Sequence, residues 1–278
     1  MIILTDLDGT LTDQQGVISE PNYHAIQGLR TLGVAVVLAT GRPSRVLSLP
    51  PHQTALFDEI IACNGAERIR SGRAELVAPL PSNVLKAIVT LSARPDLSGT
   101  YAVEYGSSFG YEPDYASWPA TDRDPNAVVG SLAELCQCGR EVAKVLFKAN
   151  SPVSPDTIAH MLQSHLGPTV CVTHSNPLGT PGPVEITTRK ANKGAAAREF
   201  LRSTHRKLGI VVAFGDQLND LTLLELGDYS FAVGDAHPAL TARFPRIPND
   251  HYSAVSDVLM RGVRSRWLST TRPRTDWR

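Results

Sequence analysis

The stretch Ile2-Ile3-Leu4-Thr5-Asp6-Leu7-Asp8-Gly9-Thr10-Leu11-Thr12 decides how the chain is read: an apolar run that stops at two carboxylates one residue apart. Such a run reads as a buried strand, and Gly9 lets the backbone turn where the strand stops. Along an extended chain Asp6 and Asp8 project to one side and Leu7 to the other. In an open parallel sheet, ligands bind in the crevice beyond the carboxyl ends of the strands, so both acids are expected there.

Outward from this strand, Ser19-Glu20-Pro21 opens a helix with Tyr23, Ile26, Leu29 and Leu32 at helical spacing, and Gly33 ends it. Residues 34–39 form a second buried run, closed by Thr40-Gly41-Arg42-Pro43. Strand, helix and strand make a βαβ unit whose two strand ends face one crevice. A third run, Glu59-Ile60-Ile61-Ala62-Cys63, ends at an Asn64-Gly65-Ala66 turn.

From about Pro79 prolines scatter among short helical and extended pieces, which marks an inserted α+β domain. Its helical candidates are 83–93 and Pro155–Leu166, and its strand candidates are 101–105, 142–149 and 169–173. Its end lies near Gly182-Pro183, before Val184-Glu185-Ile186-Thr187. The doubly wound pattern then resumes with a helix over 193–204, a strand over 210–214 ending in Gly215-Asp216, a helix from 219 to about 226 and a strand over 229–233. The expected division is a core in two parts, 1–79 and 187–263, an insert over 80–186, and a basic tail over 264–278. That tail carries Arg264, Arg266, Arg272, Arg274 and Arg278 against Asp276, and is expected to be poorly ordered.

Lysine plus arginine equals aspartate plus glutamate at 27 each in 278 residues, so no global field steers the protein toward nucleic acid or an anionic membrane. Neither partner is expected, and nothing approaches the roughly 20 apolar residues that span a bilayer. Cys63, Cys136, Cys138 and Cys171 make no disulfide framework, and Cys136-Gln-Cys138 lacks the second pair that tetrahedral zinc requires. No signal peptide is read in Met1 to Leu4, so a reducing cytoplasm is the expected setting.

Polar residues thus stand at the ends of several apolar runs: Asp6 and Asp8, Thr40, Lys193 at a helix start, and Asp216 with Asn219 and Asp220. Each alone is an ordinary turn or cap. Together, Asp6-Leu7-Asp8-Gly9-Thr10-Leu11-Thr12, Thr40-Gly41-Arg42, Lys193-Gly194 and Gly215-Asp216-x-x-Asn219-Asp220 resemble the haloacid dehalogenase superfamily. The likeness is to its Cof-type, subfamily IIB phosphatases with a large C2-type cap, and it covers the chain to about Val263. It implies a doubly wound, parallel-sheet, Rossmann-like α/β core with an inserted α+β cap, and hydrolysis of a phosphate monoester.

Residue by residue, the resemblance implies that Asp6 attacks phosphorus to give an aspartyl phosphate, while Asp8 serves as general acid and then general base. Mg2+ fits the paired carboxylates, held by the Asp6 side chain, the Asp8 carbonyl and Asp216, with Asn219 or Asp220 in or just beyond the coordination sphere. Thr40, Lys193, Asn219 and the amides near Leu7 and Gly41 would face the phosphoryl oxygens. Arg42 either contacts substrate phosphate or braces its loop. Lys193, rather than Lys190, opens the helix in the manner of the family.

Two other functions remain in view: a phosphomannomutase-like sugar phosphate mutase, and a non-catalytic phosphosugar-binding regulatory module. The Gly-Asp-x-x-Asn-Asp pattern favours the phosphatase over the mutase, and the retention of both Asp6 and Asp8 disfavours the module. The expected substrate is a small phosphorylated metabolite, first a sugar or polyol phosphate by family habit, turned over by a monomer or homodimer. Candidate cap contacts are Glu104, Tyr105, Tyr111, Lys144, Lys148, His174 and Asn176.

Overall fold

The computed structural model describes residues 1–115, 124, 126–150, 152–176, 182–203 and 209–265. Strands β1 (Ile2–Thr5), β2 (Ala35–Ala39) and β3 (Glu59–Ala62) lead to a hairpin of β4 (Glu67–Arg70) and β5 (Arg73–Leu76). A separate group follows: β6 (Gly99–Glu104), β7 (Phe109–Tyr111), β8 (Val128–Val129), β9 (Lys144–Ala149), β10 (Val170–Thr173) and β11 (Val184–Thr188). Then come β12 (Val211–Gly215), β13 (Tyr229–Val233) and β14 (Arg246–Ile247). The helices are α1 (Glu20–Thr31), α2 (Pro51–Thr54), α3 (Ser82–Ser92), α4 (Leu132–Gln137), α5 (Pro155–Leu166), α6 (Lys193–Ser203), α7 (Leu221–Leu224), α8 (Pro238–Thr241) and α9 (Ala254–Arg264).

The first sheet runs β14-β13-β12-β1-β2-β3-β4-β5 and is parallel from β14 to β3, with β4 and β5 added antiparallel. Successive residues feed opposite faces. Ile3, Val36, Leu38, Val212 and Phe214 pack with Ile26 and Leu29 of α1 and Leu259 of α9, while Leu4, Val37, Val211 and Ala213 pack with Phe200 and Leu201 of α6 and Leu223 of α7. Helices on both faces explain why these strands are apolar throughout rather than alternating. All three central strands, β2, β1 and β12, end at the same crevice.

The second sheet runs β10-β11-β9-β6-β7-β8, antiparallel apart from the β7–β8 pair. Tyr101, Val103, Val145, Phe147, Val184 and Ile186 point into its own core beneath α3, α4 and α5. Their neighbours Glu104, Lys144, Leu146 and Glu185 line a cavity between the two sheets. Period-two alternation therefore gives one face of this sheet to stability and the other to the cleft.

The sequence reading places no element at α2, β7, β8, α4, α8, β14 or α9, and three further features depart from it. The β4–β5 hairpin extends the first sheet where only a turn was read, because Glu67-Arg68-Ile69-Arg70 lacks apolar alternation. Its charges are matched in place: Arg68 lies 3.1 Å from Glu59 and Arg70 2.7 Å from it. The run beginning at Val184 belongs to the second sheet, bonded antiparallel to β9 and β10, and continues to Thr188. The helix read from 219 is a 3₁₀ turn, Leu218–Asp220, followed by α7. Arg266, Arg272, Arg274, Asp276 and Arg278 lie outside the described residues. No helix among the described residues is long and apolar enough to cross a membrane, and all four cysteines are unpaired.

Candidate active site

Beyond β1 the chain buries Asp6 and Leu7 but leaves the Asp8 side chain half exposed. Gly9 follows at φ +74°, and a Cβ built there would stand 2.5 Å from Asp216 Oδ2. Only glycine fits this turn, which brings the β1 loop against the β12 loop. Thr10 Oγ1 donates to Asp216 Oδ1 at 3.3 Å across the same gap.

Lys193 enters from the first turn of α6. A Cβ on Gly194 would meet the Thr222 carbonyl at 2.1 Å, so the missing side chain lets α6 sit close to α7 and carries Lys193 into the interior. There its ammonium, 1% exposed, donates to Asp6 Oδ1 at 2.5 Å and to Asp220 Oδ1 at 2.6 Å. The other oxygen of Asp220 accepts from the backbone N–H of Asp216 and of Gln217, at 3.0 Å each. Both Asp220 oxygens are therefore engaged, and this carboxylate fixes Lys193 on one side and the Asp216 loop on the other.

Three buried carboxylates, Asp6, Asp216 and Asp220, offer oxygens within 4.8 Å of one another against the one ammonium of Lys193. Burial pushes Asp6 well above the usual carboxylate range, the charges of Asp220 and Asp216 add to the rise, and Lys193 opposes it. Burial, then Asp220, push Asp216 up to about 7 against a stabilising bond from Gln217. Lys193 moves up despite burial, because Asp220 and Asp6 outweigh desolvation. The excess of negative charge on an all-oxygen donor set suits a hard divalent cation such as Mg2+. Asp6 and Asp216 are the carboxylates best placed to hold it.

Beyond β2, Thr40 is buried and its Oγ1 accepts from the Arg42 N–H at 3.1 Å. The Arg42 guanidinium grips Asp8 in a two-pronged pair, with Nε 2.8 Å from Oδ2. The structure thus places Arg42 on the second acid of the opening motif. Asn219 directs its amide to Asn64 Oδ1 at 3.0 Å, and Asn64 in turn bonds Glu185.

The cleft, about 780 Å3 in volume, is lined from the core by Asp6, Asp8, Gly41, Arg42, Lys193, Asp216 and Asn219, and from the second sheet by Glu104, Lys144, Leu146, Ser175 and Glu185. Of the candidate contacts in the insert, Glu104 and Lys144 reach this cavity. The others have different partners: Tyr105 donates to the Leu135 carbonyl at 2.8 Å, Tyr111 stacks on Phe109, His174 bonds Asp156, and Asn176 bonds the Pro183 carbonyl. Lys148 lies toward the other end of β9.

Sequence reasoning missed Arg45, paired with Glu104 at 2.6 Å, and Glu185, paired with Lys144 at 2.6 Å. Glu185 had a signal: one acid inside the apolar run Val184-Glu185-Ile186 must face something polar. Arg45 had none, since it sits in a short 3₁₀ turn, Ser44–Val46, with no motif around it.

Comparison with known proteins bears on this geometry. The chain is 28% identical over 245 residues to the 5-amino-6-(5-phospho-D-ribitylamino)uracil phosphatase YitU of Bacillus subtilis, covering 86% of this chain and 88% of that protein. It is 28% identical to the HMP-PP phosphatase of Cronobacter sakazakii over 87% of each chain. Among solved structures, the haloacid dehalogenase subclass IIB sugar phosphatase BT4131 superposes with a TM-score of 0.74 at 17% identity, covering 94% of this chain and 98% of that one. The profile of the haloacid dehalogenase-like hydrolases matches residues 3–259, from within the first strand to the middle of α9. On that match, and on a crevice that gathers the acids of β1 and β12 around Lys193, the chain belongs to the haloacid dehalogenase-like hydrolases.

Proposed function

We propose that this enzyme hydrolyses a small phosphate monoester with Mg2+, and that the leaving group is a sugar or polyol. The observation that carries the reading is the Asp6–Lys193–Asp220 arrangement, in which a buried carboxylate at a strand end is held by an ammonium whose other partner orders the Asp216 loop.

In this reading Asp6 attacks phosphorus and the P–O bond to the alcohol breaks. Asp8, two residues on and at the open side of the cleft, gives its proton to the departing oxygen and then takes one from the water that attacks the aspartyl phosphate. Inorganic phosphate leaves and Asp6 is restored. Lys193 and the Thr40 hydroxyl face the transferring oxygens, where fixed donors stabilise developing charge in a site with little water. Arg42 sets the direction of Asp8. Mg2+, held by Asp6 and Asp216 with the Asp8 carbonyl, would neutralise phosphoryl charge when bound. Asp220 acts from behind, by orienting Lys193 and Asp216.

The inserted domain, proposed here as a cap, supplies the far wall of the cleft and would exclude water from the reacting centre. Its Lys144–Glu185 pair, and its Glu104 paired with Arg45 of the core, give a wall rich in hydrogen-bonding groups, which supports a hydroxylated leaving group. The B. subtilis relative is named for a substrate that bears a phosphorylated ribityl chain, itself a polyol. Four unpaired cysteines support a reducing, cytoplasmic setting.

Phosphate release from a panel of phosphorylated sugars, polyols and other metabolites, with and without Mg2+, tests the proposal. Wild type should release phosphate only with the metal, and Asp6→Asn should cut the rate by about a thousandfold or more. Isomerised sugar phosphate with little free phosphate would favour a mutase instead. Binding of sugar phosphates with no turnover would favour a regulatory module, and comparable rates across the panel would contradict a dedicated sugar or polyol phosphatase.

A further inference from the structure

The turn Thr40-Gly41-Arg42-Pro43 beyond β2 is held by its carbonyls, and the hold comes from both sheets. The Thr40 carbonyl accepts from the Asn64 N–H at 3.0 Å and the Arg42 carbonyl from the Cys63 N–H at 2.8 Å, both just beyond β3. The Gly41 carbonyl accepts from Lys144 Nζ at 3.0 Å, and Lys144 stands at the start of β9 in the second sheet. The Lys144 ammonium is itself anchored, 3% exposed and donating to Glu185 Oε1 of β11 at 2.6 Å.

A peptide unit is planar and trans, so holding its oxygen also sets where its N–H points. The N–H of the Gly41–Arg42 unit is that of Arg42, which donates to Thr40 Oγ1 at 3.1 Å. On the other side of Arg42, Cys63 holds the carbonyl, and Pro43 follows with its φ fixed by the ring. The backbone is thus pinned on both sides of Arg42, whose guanidinium grips Asp8 with Nε 2.8 Å from Oδ2. Gly41, Arg42, Asp8 and Lys144 all line the cleft.

We propose that Lys144 is a positioning residue for Asp8: by holding the Gly41–Arg42 peptide unit from the second sheet, it sets the aim of Arg42 and, through Arg42, of the Asp8 carboxyl. It acts through this turn rather than by touching the leaving group, so the seating of the second sheet becomes a condition for proton transfer. The role of Asp8 rests on the phosphatase reading; the hold on the turn does not.

Lys144→Met alone would leave the Glu185 carboxylate buried without its counter-charge, so it is combined with Glu185→Gln and compared with Glu185→Gln alone. Hydrogen exchange of the Arg42 backbone N–H, followed by NMR, reads the turn without any turnover. It should be about tenfold faster or more once Lys144 is lost, while the Thr40 N–H, which donates to the Ile61 carbonyl at 2.8 Å, keeps its rate. Should that double variant fail to fold, Lys144→Gln in the otherwise wild-type chain decides in the same way. Its carboxamide still donates to Glu185 but is one bond shorter than lysine, too short to hold Gly41 as well.

A proton donor matters most where the leaving oxygen is basic, so kcat/KM is measured on propyl phosphate, a polyol phosphate and p-nitrophenyl phosphate. Loss of Lys144 should lower it about tenfold on the first two and by less than about twofold on the third, whose phenolate leaves without a proton. In an Arg42→Gln background the same loss should cost less than about twofold on every substrate, because Lys144 then has nothing to aim. A fall on the polyol phosphate alone would make Lys144 a contact of the leaving group, and equal falls on all three would make it merely structural. Either result overturns the proposal, as does full additivity with Arg42→Gln or unchanged exchange at Arg42. A wild type that releases no phosphate would sink the phosphatase reading and leave the exchange test standing.

Discussion

Asp216 and Gly9 show how tightly single residues are bound to one another at the site. Burial and Asp220 hold Asp216 up to about 7, so between roughly pH 4 and 7 the native state keeps a proton that the unfolded chain has released. Native protein binds more protons there, so stability must fall as pH rises through that window, by an amount on the order of a few kcal/mol. A cation bound by Asp6 and Asp216, as proposed, would remove the penalty. Thermal melts should accordingly show Mg2+ stabilising the protein more at pH 7.5 than at pH 5, and equal stabilisation at the two would contradict the assignment. Gly9→Ala places a methyl 2.5 Å from Asp216 Oδ2 on a backbone with φ +74°. It should cost about 1–3 kcal/mol in melting experiments and raise the Mg2+ concentration needed for activity. A variant with wild-type melting and metal dependence would show that the β1 and β12 loops are not held together as described.

At the scale of elements, Arg68 links β4 to its surroundings: it sits 3.1 Å from Glu59 of β3 and 3.0 Å from Glu199 of α6, and donates to the Ala196 carbonyl at 2.8 Å. Arg68→Ala strips a buried carboxylate of one partner and should cost about 3 kcal/mol, the low end for breaking a buried pair because Arg70 remains on Glu59. Denaturant unfolding should show a lower midpoint at unchanged slope; a shift near zero would mean that the hairpin is not anchored through this arginine. The same residue explains what the sequence left illegible. Strands β1, β2 and β12 are apolar runs with polar ends, so Asp6, Thr40 and Asp216 could be placed by pattern alone. Strand β4 buries Glu67 and Arg68, whose fitness depends on partners distant in the chain. Glu185 and Asn64 are of the second kind as well, meeting across 121 residues. Pattern reports burial and period; it does not report which charge will find which.

Across the whole molecule, insert and core meet at more than the cleft wall. His174 and Asp156 of the insert and His237 of the core form a cluster, with Nε2 of each imidazole 3.1 and 3.2 Å from Asp156 Oδ1. Each Nδ1 accepts a backbone N–H, from Asn176 at 3.4 Å and from Ala239 at 3.2 Å. Both protons therefore sit on Nε2 and point at the carboxylate, the arrangement of a clasp; a metal ligand would need those lone pairs free. Asp156→Ala should loosen the insert and raise KM about three- to tenfold while leaving Mg2+ stabilisation intact, since none of the three residues touches the proposed cation site through its side chain. An unchanged KM would mean that the clasp does not hold the cleft. In the proposed reaction Asp6 carries the phosphoryl group between alcohol and water. Acid quenching during turnover, followed by peptide mass spectrometry, measures it directly: a hydroxylamine-labile phosphoryl adduct should appear on Asp6 in the amino-terminal peptide and vanish in Asp6→Asn. Undiminished phosphate release by Asp6→Asn, or the adduct on any other residue, would contradict the account.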